Sequence, residues 1–310
     1  MLGLQAHFEA PVARGHSPAG GYTGAAGGAA CGDLVRVSLT VEGDRVVDAG
    51  FDAAGCAAAV AAGSAAVGLA RGRPLLEVAR LGPAEVAAEL GGLVPAKRHA
   101  AELAADALHR ALGAAARATA AVPAPTAGTR VLVAMSGGVD SAVAALLASR
   151  GGEQAVAVTL ELWADRDHDP EGSCCSASAV RGARALAHGM GLPHLTIDLR
   201  EEFRAGVVQP FLDDHAAGLT PNPCVRCNGH VRLDAMLELA GRLGARSLAT
   251  GHYARVVDDG AGPLLRAAAE PAKDQSYVLA ALAPATLARL RFPLGELAKP
   301  RVRELAADAG

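Results

Sequence analysis

Aromatic residues are scarce: one Trp, three Tyr and five Phe in 310 residues. Alanine fills so many positions instead that apolar periodicity is a blunt guide to local structure. No run of about 18 or more apolar residues occurs, which argues against a membrane span. Met1–Pro11 has neither a basic leader nor an apolar stretch behind it, so no secretory signal is read. A soluble cytoplasmic protein is expected. Charge of one sign is also missing. The net charge of −3 gives no global electrostatic case for nucleic acid. Local basic groups (Arg226, His230 and Arg232; Arg242 and Arg246; Arg291, Lys299, Arg301 and Arg303) read as solvated helix faces. No internal repeat is present. Six cysteines in a chain without a secretion signal read as metal ligands or reactive thiols, not as a disulfide framework.

What is present is two blocks of different pattern. The length suits two domains, each with its own core. A Pro/Ala/Thr-rich stretch, residues 118–129, reads as a linker between a domain over 1–117 and another over 130–310. In the first block Val35, Val37, Leu39 and Val41 alternate with polar residues. Glu42-Gly43-Asp44 then turns the chain into a second strand, and helices follow, the clearest over Glu102–Ala115. That order predicts an α+β domain. In the second block strands over 131–135, 155–163, 194–199 and 246–250 alternate with helices, which predicts an α/β doubly wound parallel sheet. Ligands of such sheets bind beyond the C-terminal strand ends.

One of those ends carries Ser136-Gly137-Gly138-Val139-Asp140-Ser141, directly behind Val131–Met135. Glycines at a strand-to-helix turn let backbone N–H groups approach a phosphate, and the helix dipole favours the anion. Ser136 and Ser141 add hydroxyls, and Asp140 is a candidate ligand for a magnesium ion bridging phosphate oxygens. The Gly-Lys-Ser/Thr ending of a Walker loop is missing. The six residues resemble instead the PP-loop of ATP pyrophosphatases, which cut ATP between its α and β phosphates and adenylate a substrate. The fold implied is an adenine nucleotide alpha hydrolase-like domain.

In the first block Cys31-Gly32-Asp33, Gly55-Cys56 and Lys97-Arg98-His99 bring together two thiols, a carboxylate and an imidazole. Those residue types suit zinc or an iron–sulfur cluster. Together with His7-Phe8, Leu90-Gly91-Gly92-Leu93 and Asp106-Ala107-Leu108, they run in the order of the NifU/IscU iron–sulfur scaffold domain, which the block resembles. The resemblance implies Cys31, Asp33, Cys56 and His99 as ligands, and a cysteine desulfurase or sulfur-relay protein as partner. The chain departs from that family at Ala100, where the family has a further cysteine.

In the second block Thr220-Pro221-Asn222-Pro223-Cys224-Val225-Arg226-Cys227-Asn228 places two thiols behind two rigid prolines. A helix expected from about Asn228, together with Arg226, favours thiolate at Cys227. No second Cys-x-x-Cys completes a closed zinc site. This motif, with Ser136–Ser141, Cys174-Cys175-Ser176, Gly251-His252-Tyr253 and Lys273-Asp274-Gln275-Ser276-Tyr277, resembles the tRNA-specific 2-thiouridylases. The resemblance implies ATP bound across Ala134, Met135, Ser136, Gly137, Gly138, Val139, Asp140 and Ser141, with Leu160 and Gly251 near adenosine. It implies Asn222, Pro223, Cys224, Lys273, Asp274 and Gln275 at tRNA. It also implies Cys227 as nucleophile, Cys224 beside it, and His252 orienting the reacting groups. The family continues past residue 310 into a segment with a further cysteine and a tRNA-binding barrel.

The function expected is adenylation of a wobble uridine of tRNA, with ATP and Mg2+, followed by sulfur transfer from a cysteine persulfide. A non-catalytic iron–sulfur or zinc scaffold carrying a nucleotide-binding domain is the alternative from another class. A PP-loop ligase or amidotransferase component is the third.

Overall fold

The computed structural model of the chain describes residues 3–27, 32–163 and 177–310. Cys31, Cys174, Cys175 and Ser176 lie outside the described residues. The chain divides into two compact units, Met1–Pro123 with Pro193–Ile197, and Ala124–Leu192 with Asp198–Gly310.

The first unit opens with α1 (Gly3–Glu9). The strands β1 (Tyr22–Gly27), β2 (Leu34–Glu42) and β3 (Arg45–Ala54) then form an antiparallel sheet in chain order. Val35, Val37, Leu39 and Val41 are buried, as their alternation predicts. Helices α2 (Ala57–Ala70), α3 (Leu75–Val78), α4 (Pro83–Glu89) and α5 (Arg98–Thr119) follow. α5 lies against β1 and β2 and buries Leu103, Leu108 and Leu112, each contributing roughly 1.5–3 kcal/mol. It extends beyond the predicted 102–115 at both ends, because alanines there continue the helix at little entropic cost. Neither α1 nor β1 was legible: β1 reads Tyr-Thr-Gly-Ala-Ala-Gly, residues mostly depleted in strands.

From residue 130 onward, strands and helices alternate. They run β4 (Arg130–Ala134), α6 (Val139–Arg150), β5 (Gln154–Glu161), α7 (Ala177–Gly189), β6 (His194–Asp198), α8 (Arg200–Phe203) and α9 (Gln209–Ala216). α10 (Pro223–Cys227), α11 (Leu233–Arg242) and β7 (Ser247–Ala249) follow. Then come the antiparallel pair β8 (Ala254–Asp258) and β9 (Pro263–Ala267), α12 (Pro284–Leu287), β10 (Leu290–Arg291) and α13 (Lys299–Ala309). The main sheet has the order β10-β7-β4-β5-β6, with β4 parallel to β5 and β7, and β7 parallel to β10. This is the expected α/β doubly wound sheet. Val131, Val133 and Met135 pack with alanines of α6 and α7. Leu132, out of phase with them, points to the opposite face, where α11 meets β4 and β7. Small side chains on α6 and α7 let those helices sit close to the strands.

One expectation is corrected. The helix does not begin near Asn228 but at Pro223, capped by Asn222. The Asn222 side chain accepts from the backbone N–H groups of Cys224 and Val225, at 3.0 and 3.3 Å. Pro223 pre-sets the first helical residue, so nucleation occurs one turn earlier than expected. α10 then runs through a π-helical turn, Asn228–Arg232, into α11.

Candidate functional site

The N-terminal end of α6 and the C-terminal ends of β4 and β7 open on one cavity of about 220 Å³. Ala134, Met135, Ser136, Asp140, Ser141 and Gly251 line it, as do Thr250, His252 and Gln275. Asn228, Arg232, Leu233 and Met236 form the wall supplied by the π turn and α11. Leu160 stands in a smaller adjoining recess with Val158, Thr159 and Leu162. Of the ten residues expected at ATP, Gly137, Gly138 and Val139 form an exposed lip and do not line the cavity.

The turn itself is held by hydroxyls. Ser141 Oγ accepts from the Ser136 N–H at 3.1 Å and donates to the Gly138 carbonyl at 2.9 Å. Gly137 has φ +79°, the left-handed region that glycine enters without strain. Gly251 is needed for closeness: a Cβ there would lie 2.9 Å from Asp140 C and from Ser141 N. The residue expected near adenosine thus also lets the β7 loop meet the first turn of α6.

Asp140 is more engaged than a magnesium ligand alone would be. Its Oδ1 accepts from Tyr253 Oη at 2.8 Å and from Lys299 Nζ at 2.5 Å. Burial, then the hydrogen bond to Asp140, keeps the Tyr253 phenol protonated well above its ordinary range. Lys299, read from sequence as part of a solvated basic face, is thus an ion-pair partner at the cavity.

His252 is held neutral. Burial foremost, and then the Arg232 charge, push its pKa down to about 4. Its Nδ1 sits 2.8 Å from Thr250 Oγ1, and its ring meets Phe292 edge-on with centroids 6.2 Å apart. Gln275 pairs twice with Tyr253, its N–H donating to the Tyr253 carbonyl and its Oε1 accepting from the Tyr253 N–H. Asp274 faces its own loop instead: burial raises its pKa, but hydrogen bonds from Ala268 N–H and from Ser276 Oγ and N–H outweigh that and hold it low. Lys273 is exposed.

The two thiols of the Asn-Pro-x-x-x-Cys motif differ. Cys224 is exposed near the first amides of the helical run, whereas Cys227 is buried one turn further in. Neither lines the cavity; Asn228, the residue after Cys227, does. Arg226, expected to favour thiolate at Cys227, donates through Nε to the Gly206 carbonyl at 2.8 Å. Arg232, which reads from sequence as one of a basic cluster on a solvated face, lines both the cavity and the recess. The signal was its spacing of four residues from Asn228 on one helix.

In the first unit, Asp33, Cys56 and His99 converge, with one ligand atom from each lying within 4.8 Å of the others. Asp33 is the centre. Its Oδ1 accepts from the Cys56 N–H at 2.9 Å, and its Oδ2 from Cys56 Sγ at 3.2 Å and His99 Nε2 at 3.1 Å. Burial raises the Asp33 pKa, but these bonds outweigh it and hold the carboxyl below its usual range. Gly55 has φ +138°, and a Cβ there would lie 2.1 Å from Asp33 Oδ1. Nitrogen, oxygen and sulfur donors at this spacing fit zinc. Ala100, where the resembling family has cysteine, is fully buried.

Residues 129–310 match the family described as tRNA methyl transferase HUP domain, and residues 3–121 match NifU-like N terminal domain. A "Bifunctional protein NifU/MnmA" of Rubrobacter xylanophilus is 48% identical over 298 residues, 93% of this chain and 60% of that protein. A "tRNA-specific 2-thiouridylase MnmA" of Rhizorhabdus wittichii is 49% identical over 61% of this chain and 50% of its own length. The protein of the same name from Zymomonas mobilis is 44% identical over 60% of this chain and 50% of its own. The chain therefore spans about half to three-fifths of the curated relatives it matches. No helix among the described residues is long and apolar enough to cross a membrane. By its larger part the chain belongs to the tRNA methyl transferase HUP domain family, with a NifU-like domain ahead of it.

Proposed function

We propose that the second unit adenylates the 2-oxo group of a tRNA wobble uridine as the first half of 2-thiolation. The observation that carries this reading is the unbroken helical run over 223–242. It presents Cys224 and Cys227 at one end and builds the cavity wall with Asn228, Arg232 and Met236 further along. One element thus joins two thiols to a cavity at a parallel sheet's C-terminal edge.

In the reaction, uridine O2 forms a bond to the α-phosphorus of ATP while the bond to the bridging β-phosphate oxygen breaks. Pyrophosphate leaves with that electron pair, and the uridine N3 proton passes to water. AMP is then the leaving group when a persulfide's terminal sulfur bonds to C2, and a second thiol takes the carrier sulfur as a disulfide. Ser136, Ser141 and the first amides of α6 hold the phosphates, and Asp140 Oδ2 is available to a magnesium ion arriving with ATP. His252, neutral at physiological pH, hydrogen-bonds the reacting groups without adding charge. Asn222 and Pro223 set the thiol helix against the tRNA, Lys273 meets its phosphates, and Asp274 and Gln275 shape that loop.

For the first unit we propose a zinc or iron–sulfur site on Asp33, Cys56 and His99, with Cys31 as fourth ligand, that docks a cysteine desulfurase or sulfur-relay protein in the cytoplasm. Bound metal would fix the surface formed by these loops. Pyrophosphate release measured with and without unmodified tRNA tests the enzymatic reading. Release that rises strongly with tRNA is expected, and release indifferent to tRNA rejects it.

A further inference from the structure

The residues shared by the cavity and its recess are Ala134, Met135, Ser136, Arg232 and Met236. Only Arg232 among them is charged. Its side chain, partly buried, forms no hydrogen bond or ion pair among the described residues, and its Nε is buried without a partner. Asp140, the carboxylate of the same cavity, is taken by Lys299 and Tyr253. With no anion beside it, the N–H fork of this guanidinium is available to a ligand, and its geometry matches phosphate oxygens.

We propose that Arg232 is the residue that grips the α-phosphate of the nucleotide, at the junction between adenosine and the pyrophosphate cradle. This rests on the nucleotide reading above. With adenosine near Leu160 and Gly251, as the family resemblance implies, and the β and γ phosphates at Ser136–Ser141, the group between them is the α-phosphate. That phosphorus is attacked by uridine O2 and stays in the departing AMP. A fixed cation there stabilises charge in both the adenylation and the displacement step. The π-helical turn is the device that places it: with Asn228 and Arg232 at its two ends, both side chains reach the cavity wall, as is common where π turns mark functional sites. Asn228 is held by its own amide, Nδ2 donating to the Cys224 carbonyl at 3.0 Å. Its buried Oδ1 has no donor among the described residues.

Calorimetric binding of adenosine, AMP and pyrophosphate to the full chain and to Arg232→Met tests the assignment. AMP binding is expected to weaken about tenfold to a hundredfold, while adenosine and pyrophosphate change less than about twofold. Arg232→Lys, which keeps the charge but not the fork, recovers part of the loss. The melting temperature of Arg232→Met without nucleotide is expected to match or exceed that of the wild type, since the substitution removes an uncompensated buried donor. A fall of several degrees, equal loss for all three ligands, or loss confined to adenosine or to pyrophosphate overturns the proposal alone. Wild-type chain that binds none of the three overturns the nucleotide reading and the proposal with it.

Discussion

In the first unit Asp33, Cys56 and His99 satisfy one another, whereas in the second Asn228 and Arg232 line a cavity and each keeps a buried polar atom that no described residue satisfies. The two arrangements store a site differently. Around Asp33, hydrogen bonds hold donors at ligand spacing, where a bound metal ion would take the place of the thiol proton. Around Arg232, a buried Nε has no partner among the described residues, and on the proposed reading an arriving phosphate would pair the guanidinium. Mutual satisfaction therefore makes the first cluster part of its unit's stability, while the unsatisfied atoms of the second add nothing to stability.

The largest way to break this contrast is Gly251→Ala. Its Cβ would collide with the α6 backbone at Asp140 and Ser141, so tRNA-dependent pyrophosphate release should fall about 100-fold or more. Metal content should stay unchanged; an active variant would show that the cradle tolerates displacement. Asp33→Ala should do the reverse. Metal measured by mass spectrometry in the purified full chain should fall to background, and stability should fall by about 1–3 kcal/mol, with pyrophosphate release intact. Retained metal would remove Asp33 from the ligand set.

A smaller effect is expected from pH. The folded-state pKa of His252 lies at about 4, below the ordinary 6.5, so the unfolded chain binds the extra proton between those values. Its contribution to stability is full above pH 6.5 and is lost as pH falls toward 4. Asp33 and Asp274, both held low, keep their contributions until the pH drops below the ordinary carboxylate range. His252→Gln should therefore flatten the melting-temperature slope between pH 6.5 and 4, and an unchanged slope would contradict the burial of that imidazole. The smallest effect is that of Asn222→Ala. Loss of the cap costs about 1 kcal/mol, a shift of about 2–4 °C, which Asn222→Ser should largely recover.

Much of this was legible in residue order. Alternation along 35–41 announced β2, and the glycine pair behind Val131–Met135 announced the turn into α6, because both depend on local backbone chemistry. β1 was hidden because small residues carry no period. The start of the thiol helix was misplaced because Asn222-Pro223 was read as a rigid approach and not as a cap with a first helical residue. The partners of Asp140 were out of reach: Tyr253 and Lys299 lie 113 and 159 residues away in sequence. Arg232 looked like any basic residue on an amphipathic helix, since burial of its Nε is a tertiary fact.

The proposed adenylation would join AMP to tRNA before sulfur arrives. The direct measurement incubates the full chain with ATP labelled at the α-phosphate and unmodified tRNA, without a sulfur donor, and counts label on the tRNA. Label that accumulates on tRNA containing a wobble uridine, and not on the same tRNA with cytidine there, is the predicted result. Label found only in free AMP, or on neither, would contradict it.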